Sequence, residues 1–215
     1  MTPLVTLVER PIAAPLFRRL VRRVRALGSE RLRQTYQTTF WFDLGRPSAV
    51  TEEVILALRR KLQPDGVAGV EWWLSRMWTG DVQVDFHRDR DEALARRTGR
   101  EQRPALSSVL FLNRVRGGAL VVTRQRPDRG SPALAPLPLD GDLVAPRPNR
   151  FVWFDGRLTH GVLDAQNQIP GRGRRGGGEL RLTLVMNWWK RRPVAVPSLQ
   201  STSHYRGLRI SGDSR

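Results

Sequence analysis

The sequence DVQVDFHRD, residues 81–89, alternates between apolar and polar side chains. If this segment forms a strand, its apolar side chains share one face, and His87 and Asp89 share the other. The two polar residues would then lie roughly 7 Å apart at their Cα atoms and could converge on one point. An imidazole and a carboxylate held in this way can supply two ligands to a metal ion. On its own the pair is a weak signal, because a surface histidine beside a charged loop produces the same pattern.

Two later stretches add to this candidate site. A second histidine, His160, lies in WFDGRLTHGV, residues 153–162, directly after a short apolar run. The segment ELRLTLVMNWW, residues 179–189, has the pattern of a strand that carries Arg181 near its start. An arginine that points into a protein interior needs an anion to pair with. An arginine on an edge strand in contact with solvent is the alternative interpretation.

The surrounding sequence predicts a protein that is α+β and mainly β. Helices are expected over 14–35, from apolar residues at three- and four-residue spacings, and over 51–62, with Thr51 as the cap. Short apolar or alternating runs then follow one another, separated by Gly, Pro and Asp, which is typical of a β-sandwich or barrel. These runs cover 70–78, 81–87, 107–113, 118–124, 151–155 and 179–189.

The chain of 215 residues is long enough for one domain with a substantial core, and short for two. We expect a single domain over 1–192, with a helical part over 1–68 and a β core over 69–192. A polar C-terminal tail, partly mobile, is expected over 193–215. The long polar connections 90–104 and 164–178 are expected to be lids of the site or disordered.

Composition limits the chemistry. The chain has no cysteine, so any metal must be held by nitrogen and oxygen ligands. The net charge of +17 is compatible with an anionic partner, but Lys61 and Lys190 are the only lysines among 37 basic residues. Such an arginine bias can also reflect a GC-rich genome. No apolar run approaches 18 residues and no signal-peptide pattern is present, so we expect a cytoplasmic protein without a membrane span.

Taken in order, these motifs resemble the Fe(II)/2-oxoglutarate-dependent dioxygenases, closest to their prolyl-hydroxylase-like branch. The resemblance covers residues 72–189. It implies a double-stranded β-helix core, of the jelly-roll or cupin-like kind, with the N-terminal helices packed on one sheet. The motifs that carry it are His87-x-Asp89, VLFLN at 109–113, GGAL at 117–120, the apolar strand at 151–154, His160-Gly161-Val162 and Arg181.

The resemblance also implies roles for individual residues. His87, Asp89 and His160 would bind Fe(II), Arg181 would pair with the distal carboxylate of 2-oxoglutarate, and Thr183 would add a hydroxyl donor. With O2 the reaction would release succinate and CO2 and hydroxylate a C–H bond of the substrate. The sequence departs from the pattern where members of the branch often have tyrosine, at Phe111, and where they often have an aromatic side chain facing the substrate, at Asn187.

Three functions remain open from the sequence. The first is hydroxylation of a small molecule, an amino acid or a peptide, with Asn187 and Trp78 as candidate substrate contacts. The second is oxidative demethylation of nucleic acid, of the AlkB type, with Trp78 and Trp189 available to stack a base. Against it, the AlkB pattern has a second arginine where this chain has Asn187. The third is a binding protein with a relic site. The oligomeric state is not predicted.

Overall fold

The architecture was obtained from a computed structural model, which describes residues 2–28, 38–82, 84–125, 141–170 and 177–210. Nine strands, three α-helices and two short 3-10 helices, Leu199–Ser201 and Arg206–Leu208, are found in these parts of the chain. The helices are α1 (Ala14–Ala26), α2 (Val50–Leu62) and α3 (Glu92–Thr98). The strands are β1 (Val5–Glu9), β2 (Phe40–Phe42), β3 (Gly69–Trp78), β4 (Leu106–Phe111), β5 (Leu120–Thr123), β6 (Asp142–Val144), β7 (Arg150–Asp155), β8 (Thr159–Val162) and β9 (Leu180–Trp189).

The strands form two antiparallel sheets. The larger sheet has the order β1-β7-β4-β9-β3-β2, and the smaller has the order β6-β5-β8. Apolar side chains of both sheets pack against each other, including Val109 and Phe111 from the larger and Leu120 and Val122 from the smaller. Because side chains alternate along a strand, this packing defines an inward face of the larger sheet, which carries the odd-numbered residues of β9. The mainly β prediction is confirmed.

The opposite face of the larger sheet is covered by the first two helices. Leu20 and Val24 of α1 and Ile55 and Leu58 of α2 are buried in one cluster with the even-numbered residues of β9. Packing of the N-terminal helices on one sheet therefore agrees with the expectation. The predicted helix over 14–35 ends earlier, at Ala26, and its part from residue 29 onward lies outside the described residues.

The cap predicted for α2 is wrong. Ala49 occupies the N-cap position, and Thr51 is fully buried inside the helix, where its hydroxyl has no partner among the described residues. Glu52 instead accepts hydrogen bonds from the backbone N–H and the hydroxyl of Ser48, at 2.6 and 2.8 Å. The first-turn carboxylate thus holds the residue that precedes the N-cap, as in the reciprocal part of a capping box, and no described side chain caps the N–H groups of the first turn.

The predicted division of the chain also needs correction at both ends. The segment 1–68 contributes β1 and β2 to the two edges of the larger sheet, so it is not only helical. The segment from residue 193 is not a separate polar tail over its described part. Its apolar residues Leu199, Tyr205 and Leu208 pack against the helical layer and are buried in the same cluster as the helices.

Two segments near the site, the predicted strand that ends at residue 87 and the connection 90–104, differ from the expectation. Residues 84–90 do not form a regular strand, and only an isolated bridge joins His87 to His160. The connection 90–104 contains α3, whose N-terminus is capped by Asp91 through the N–H of Leu94 at 2.9 Å. Residues 171–176 of the other connection lie outside the described residues.

Within the described parts, the structure contains no helix that is long and apolar enough to span a membrane.

Candidate metal and 2-oxoglutarate site

His87, Asp89 and His160 come together at one point of the structure. His87 and His160 exchange two backbone hydrogen bonds, each of 2.9 Å, so the irregular segment 84–90 is attached to the edge of β8. Their rings lie 4.5 Å apart between centroids. The convergence predicted from the alternation therefore occurs, although a single bridge and not a strand produces it.

The distances among the three side chains suit a shared metal ion. Nε2 of His87 lies 3.6 Å from one oxygen of Asp89, and Nε2 of His160 lies 3.4 Å from the other. One ligand atom from each residue can be chosen so that all three lie within 4.8 Å of one another. Ligands with metal bonds of about 2.0–2.2 Å lie roughly 3–3.5 Å apart, so small side-chain movements would suffice.

Backbone carbonyls orient both imidazoles. Nδ1 of His87 is 2.8 Å from the carbonyl oxygen of Asp85, and Nδ1 of His160 is 3.3 Å from that of Leu158. Since a carbonyl can only accept, each Nδ1 must carry the proton in the neutral ring, and the lone pair is left on Nε2. Both lone pairs then face Asp89. This orientation is the usual arrangement of histidines that bind metal ions.

The electrostatics also favour the protonation states of metal ligands. Burial would raise the pKa of Asp89, but the nearby imidazoles and a hydrogen bond from Ser107 hold it well below its usual range. Burial lowers the pKa of His160 to about 4, so this ring is neutral at pH 7. Burial also disfavours the charged form of His87, yet its contact with Asp89 outweighs this effect and raises its pKa. A proton therefore competes with a metal mainly at His87.

Two supporting contacts were not predicted from the sequence. Ser107 donates from Oγ to Oδ2 of Asp89 at 2.7 Å and fixes the carboxylate. Gly161 lies so close to the ring of Phe86 that a Cβ there would approach it to 2.8 Å. The glycine directly after His160 thus leaves room for the ring of Phe86, the residue that precedes His87. A polar residue at a buried position of β4 was the available signal for Ser107.

Arg181 lies on the inward face of the larger sheet, as predicted, and is only 3% exposed. Its Nε donates to the carbonyl of Gly118 at 3.0 Å, and its Nη1 lies 3.5 Å from the hydroxyl of Thr183. The guanidinium carbon stands 5.1 Å from the ring centre of Phe111, a cation–π distance. Phe111 thus provides a flat apolar wall where the resemblance led us to expect a tyrosine hydroxyl.

The motifs VLFLN and GGAL hold this arginine in place. Asn113 donates to the carbonyl of Leu180 at 2.7 Å and accepts from the N–H of Leu182 at 2.9 Å. Its amide therefore holds the backbone on both sides of Arg181. Gly118 has φ of +66°, and a Cβ at this position would lie 2.9 Å from Thr79 and 3.2 Å from Cδ of Arg181. The second glycine of the motif therefore gives the arginine room.

The two candidate substrate residues lie on different faces. Asn187 shares the inward face with Arg181 and Thr183, and it is paired in register with Ser107, which holds Asp89. Trp78 lies on the other face, since its neighbour Met77 is the residue paired with Arg181. It is 43% exposed at the end of β3, and Arg76 lies over its ring at 5.9 Å. The position of Trp78 argues against the predicted contact with substrate, because β3 turns its ring away from the inward face.

No family model matches the chain, and no curated protein matches it. Solved structures do. AviO1 from Streptomyces viridochromogenes Tue57 is 17% identical, with 91% of this chain and 93% of that chain covered and a TM-score of 0.54. HygX from Streptomyces hygroscopicus, solved with nickel, 2-oxoglutarate and hygromycin B bound, is 12% identical, with 87% and 83% covered and a TM-score of 0.51. The chain therefore shares the fold of AviO1 and HygX.

A Pseudomonas putida prolyl-4-hydroxylase also matches, at 22% identity over 89% of this chain and 90% of that chain, with a TM-score of 0.49. At the level of the fold, the resemblance inferred from the sequence motifs agrees with the match to HygX, a protein solved with 2-oxoglutarate bound. The identities are low, so the likeness concerns the fold and leaves the substrate to be inferred from the site.

Proposed function

We propose that this chain is an Fe(II)- and 2-oxoglutarate-dependent oxygenase. It hydroxylates a C–H bond of a small molecule, an amino acid or a peptide, and it releases succinate and CO2. We further propose that its two facing sheets are the double-stranded β-helix, or jelly roll, that the sequence resemblance implies. The observation that carries the proposal is the convergence of His87, Asp89 and His160 beside the same sheet face that presents Arg181.

The donor set fits iron. Two neutral imidazoles and one carboxylate form the set of nitrogen and oxygen ligands typical of non-haem Fe(II) oxygenases, which leaves positions for a cosubstrate and O2. The bound iron would supply the redox chemistry that activates O2. The residues of the chain have the remaining task, which is to hold the ligands and exclude water. Ser107 fixes Asp89, and the ring of Phe154 lies 5.0 Å from that of His160 between centroids.

Arg181 is the residue that we assign to 2-oxoglutarate. Its burial makes an anionic partner favourable, since a guanidinium fork and a carboxylate form two parallel, charge-assisted hydrogen bonds. Thr183, which is two residues further along the same face, contributes a hydroxyl. Gly118 holds the guanidinium, and Asn113 holds the backbone on either side of Arg181, before the cosubstrate arrives. This preorganisation lowers the entropic cost of binding.

The AlkB-type alternative receives no support from the comparisons. Two features of the site also weigh against it. Asn187 stands where that pattern has a second arginine, and the aromatic Trp78 lies on the opposite face from the site. The basic surface of the chain can still attract nucleic acid without specificity. The cytoplasmic location stays a prediction.

The test is succinate release with purified protein. We expect release that depends on both Fe(II) and 2-oxoglutarate, that is abolished in His160→Ala, and that is retained in the control His204→Ala. His204 is a partly buried histidine near Phe40, away from the three candidate ligands. Release that needs neither Fe(II) nor 2-oxoglutarate, or that survives in His160→Ala, would refute the proposed function.

A further inference from the structure

A row of polar side chains crosses the inward face of the larger sheet beside the candidate metal site. Glu71 on β3 is paired in register with Asn187 on β9, and Asn187 is paired with Ser107 on β4. Ser107 in turn donates to Asp89. Neighbouring strands lie about 5 Å apart, so Glu71 stands roughly 10 Å from Ser107 along this row. A substrate of modest size that contacts Glu71 could therefore reach the metal site.

Glu71 is a largely buried carboxylate whose partners are neutral. Its Oε2 accepts from Nε1 of Trp189 at 3.1 Å, and the hydroxyl of Thr39 donates to the same carboxylate. In the described parts of the chain no arginine or lysine forms an ion pair with it. Burial, together with the charges of Asp89 and Asp91, raises its pKa to about 7. A buried carboxylate near two other carboxylates is costly unless a cation pairs with it.

Asn187 provides a second, independent observation. This residue is 3% exposed, and its Oδ1 is buried without any hydrogen-bond partner among the described residues. An unpaired buried amide oxygen is destabilising and rare, so its presence calls for an explanation. Glu71 and Asn187 thus present two neighbouring acceptors. Asn187 lacks a donor for its Oδ1 among the described residues, and Glu71 has neutral donors but no cation there.

We propose that Glu71 and Asn187 form the substrate-recognition subsite, and that it binds a protonated amine or a guanidinium group of the substrate. The inference rests on the proposed function and specifies its substrate class. An ammonium or a guanidinium has several donors and a positive charge, and it can bond to both acceptors at once. The cationic end would lie at Glu71, and a C–H bond several carbons away would lie near the metal site. Neutral donors such as alcohols would leave the carboxylate charge uncompensated.

The experiment compares matched pairs of probes. L-Arginine is tested against L-citrulline, and L-lysine against L-norleucine, each at millimolar concentration with the iron- and 2-oxoglutarate-loaded protein. The readouts are stimulation of succinate release above the substrate-free rate and the increase in melting temperature on binding. The cationic member of at least one pair should stimulate release and raise the melting temperature, and its neutral counterpart should do neither.

Glu71→Gln separates charge recognition from a structural role. Glutamine keeps an oxygen for Trp189 but removes the charge, so cationic probes should bind roughly 10–100-fold more weakly, the range for a hydrogen bond to a charged group. Weak binding by neutral probes should change little. Glu92→Gln is the control, because Glu92 is 54% exposed and pairs with Arg90 on the surface.

Three results would overturn the inference. They are the absence of binding by every cationic probe, equal responses to both members of each pair, and an equal loss for cationic and neutral probes in Glu71→Gln. Each of these leaves substrate-free succinate release by the unmodified protein intact. A complete absence of that release, with Fe(II) and 2-oxoglutarate supplied, would instead refute the proposed function.

Discussion

Gly118→Ala should weaken 2-oxoglutarate binding without removing any group that touches the cosubstrate. The new methyl group would lie 3.2 Å from Cδ of Arg181 and 2.9 Å from Cγ2 of Thr79. The carbonyl of Gly118 also accepts the Nε hydrogen bond of Arg181 at 3.0 Å. The arginine must therefore shift by a few tenths of an ångström, and the carbonyl of Gly118, which fixes its direction, shifts with it.

The magnitude has two parts. Gly118 has φ of +66°, and an alanine in this left-handed region costs about 1–2 kcal/mol of unfolding free energy. Insertion of a methyl group into a packed interior adds roughly 1–3 kcal/mol. Misalignment of the arginine fork should raise the Michaelis constant for 2-oxoglutarate about tenfold, which corresponds to about 1.4 kcal/mol. The affinity for Fe(II) should be unchanged.

Gly66→Ala provides the matched control. Gly66 has φ of +64°, and a Cβ there would meet no atom within 4 Å. The two variants share the backbone strain, so their difference in urea unfolding isolates the contacts of the new methyl group. Succinate release measured against 2-oxoglutarate concentration then gives the two Michaelis constants. If Gly118→Ala is no less stable than Gly66→Ala and its Michaelis constant is unchanged, Gly118 does not position Arg181 and our assignment of the cosubstrate site fails.

Other perturbations test neighbouring parts of the account. Arg181→Ala should raise the Michaelis constant for 2-oxoglutarate by a factor that corresponds to a loss of binding free energy on the order of 2–5 kcal/mol. Arg181→Lys should recover only part of the lost affinity, because the fork geometry is lost; an unchanged constant would place the anion elsewhere. Ser107→Ala should weaken Fe(II) binding roughly 10–100-fold by releasing Asp89, and equilibrium dialysis that detects no change would contradict this role. Glu71 binds its proton more tightly in the folded than in the unfolded state, so its contribution to stability falls as pH rises from 4.5 to about 7. Glu71→Gln should therefore gain stability relative to the unmodified protein with rising pH, on the order of 3 kcal/mol by pH 8, and urea titrations that give a pH-independent difference would disprove the raised pKa. If the connection 90–104 acts as a lid, hydrogen exchange there should slow on addition of Fe(II), 2-oxoglutarate and substrate, whereas equal protection with and without ligands would argue against gating.

Much of the site was predictable because its residues occur in an ordered series of short motifs. The even-numbered positions of β9 are all apolar, so Arg181 was expected on the other face, and the structure places it on the inward face of the larger sheet. The meeting of His87 with Asp89 was predicted for a partly wrong reason. Residues 84–90 form no regular strand, and the two backbone hydrogen bonds to His160 bring the ligands together.

The remaining errors come from contacts between distant parts of the chain. Leu199, Tyr205 and Leu208 lie in a segment of polar composition, and only the shape of the helical layer shows that they are buried. Trp78 was proposed as a substrate contact on chemical grounds, but the pairing of Met77 with Arg181 turns it to the other face. The sequence gives no sign of a role for Glu71, because its importance comes from its register with Asn187, which no local pattern reveals.

The three ligand variants should differ in stability, because the ligand side chains differ in burial. Asp89 and His160 have side chains only 11% and 12% exposed, whereas that of His87 is 42% exposed. Truncation of His160 to alanine leaves a small cavity and removes a partner of Asp89, so this variant should lose stability as well as metal. His87→Ala should be the milder change. Binding measurements must therefore be made on protein whose folding has been verified by circular dichroism.

Anaerobic Fe(II) binding tests the central claim most directly. The unmodified protein should bind Fe(II) at one site per chain, and 2-oxoglutarate should bind to the loaded protein. His87→Ala and Asp89→Ala should reduce Fe(II) binding to background, and His204→Ala should bind like the unmodified protein. Full Fe(II) binding by folded His87→Ala and Asp89→Ala, or loss of binding in His204→Ala, would contradict the account.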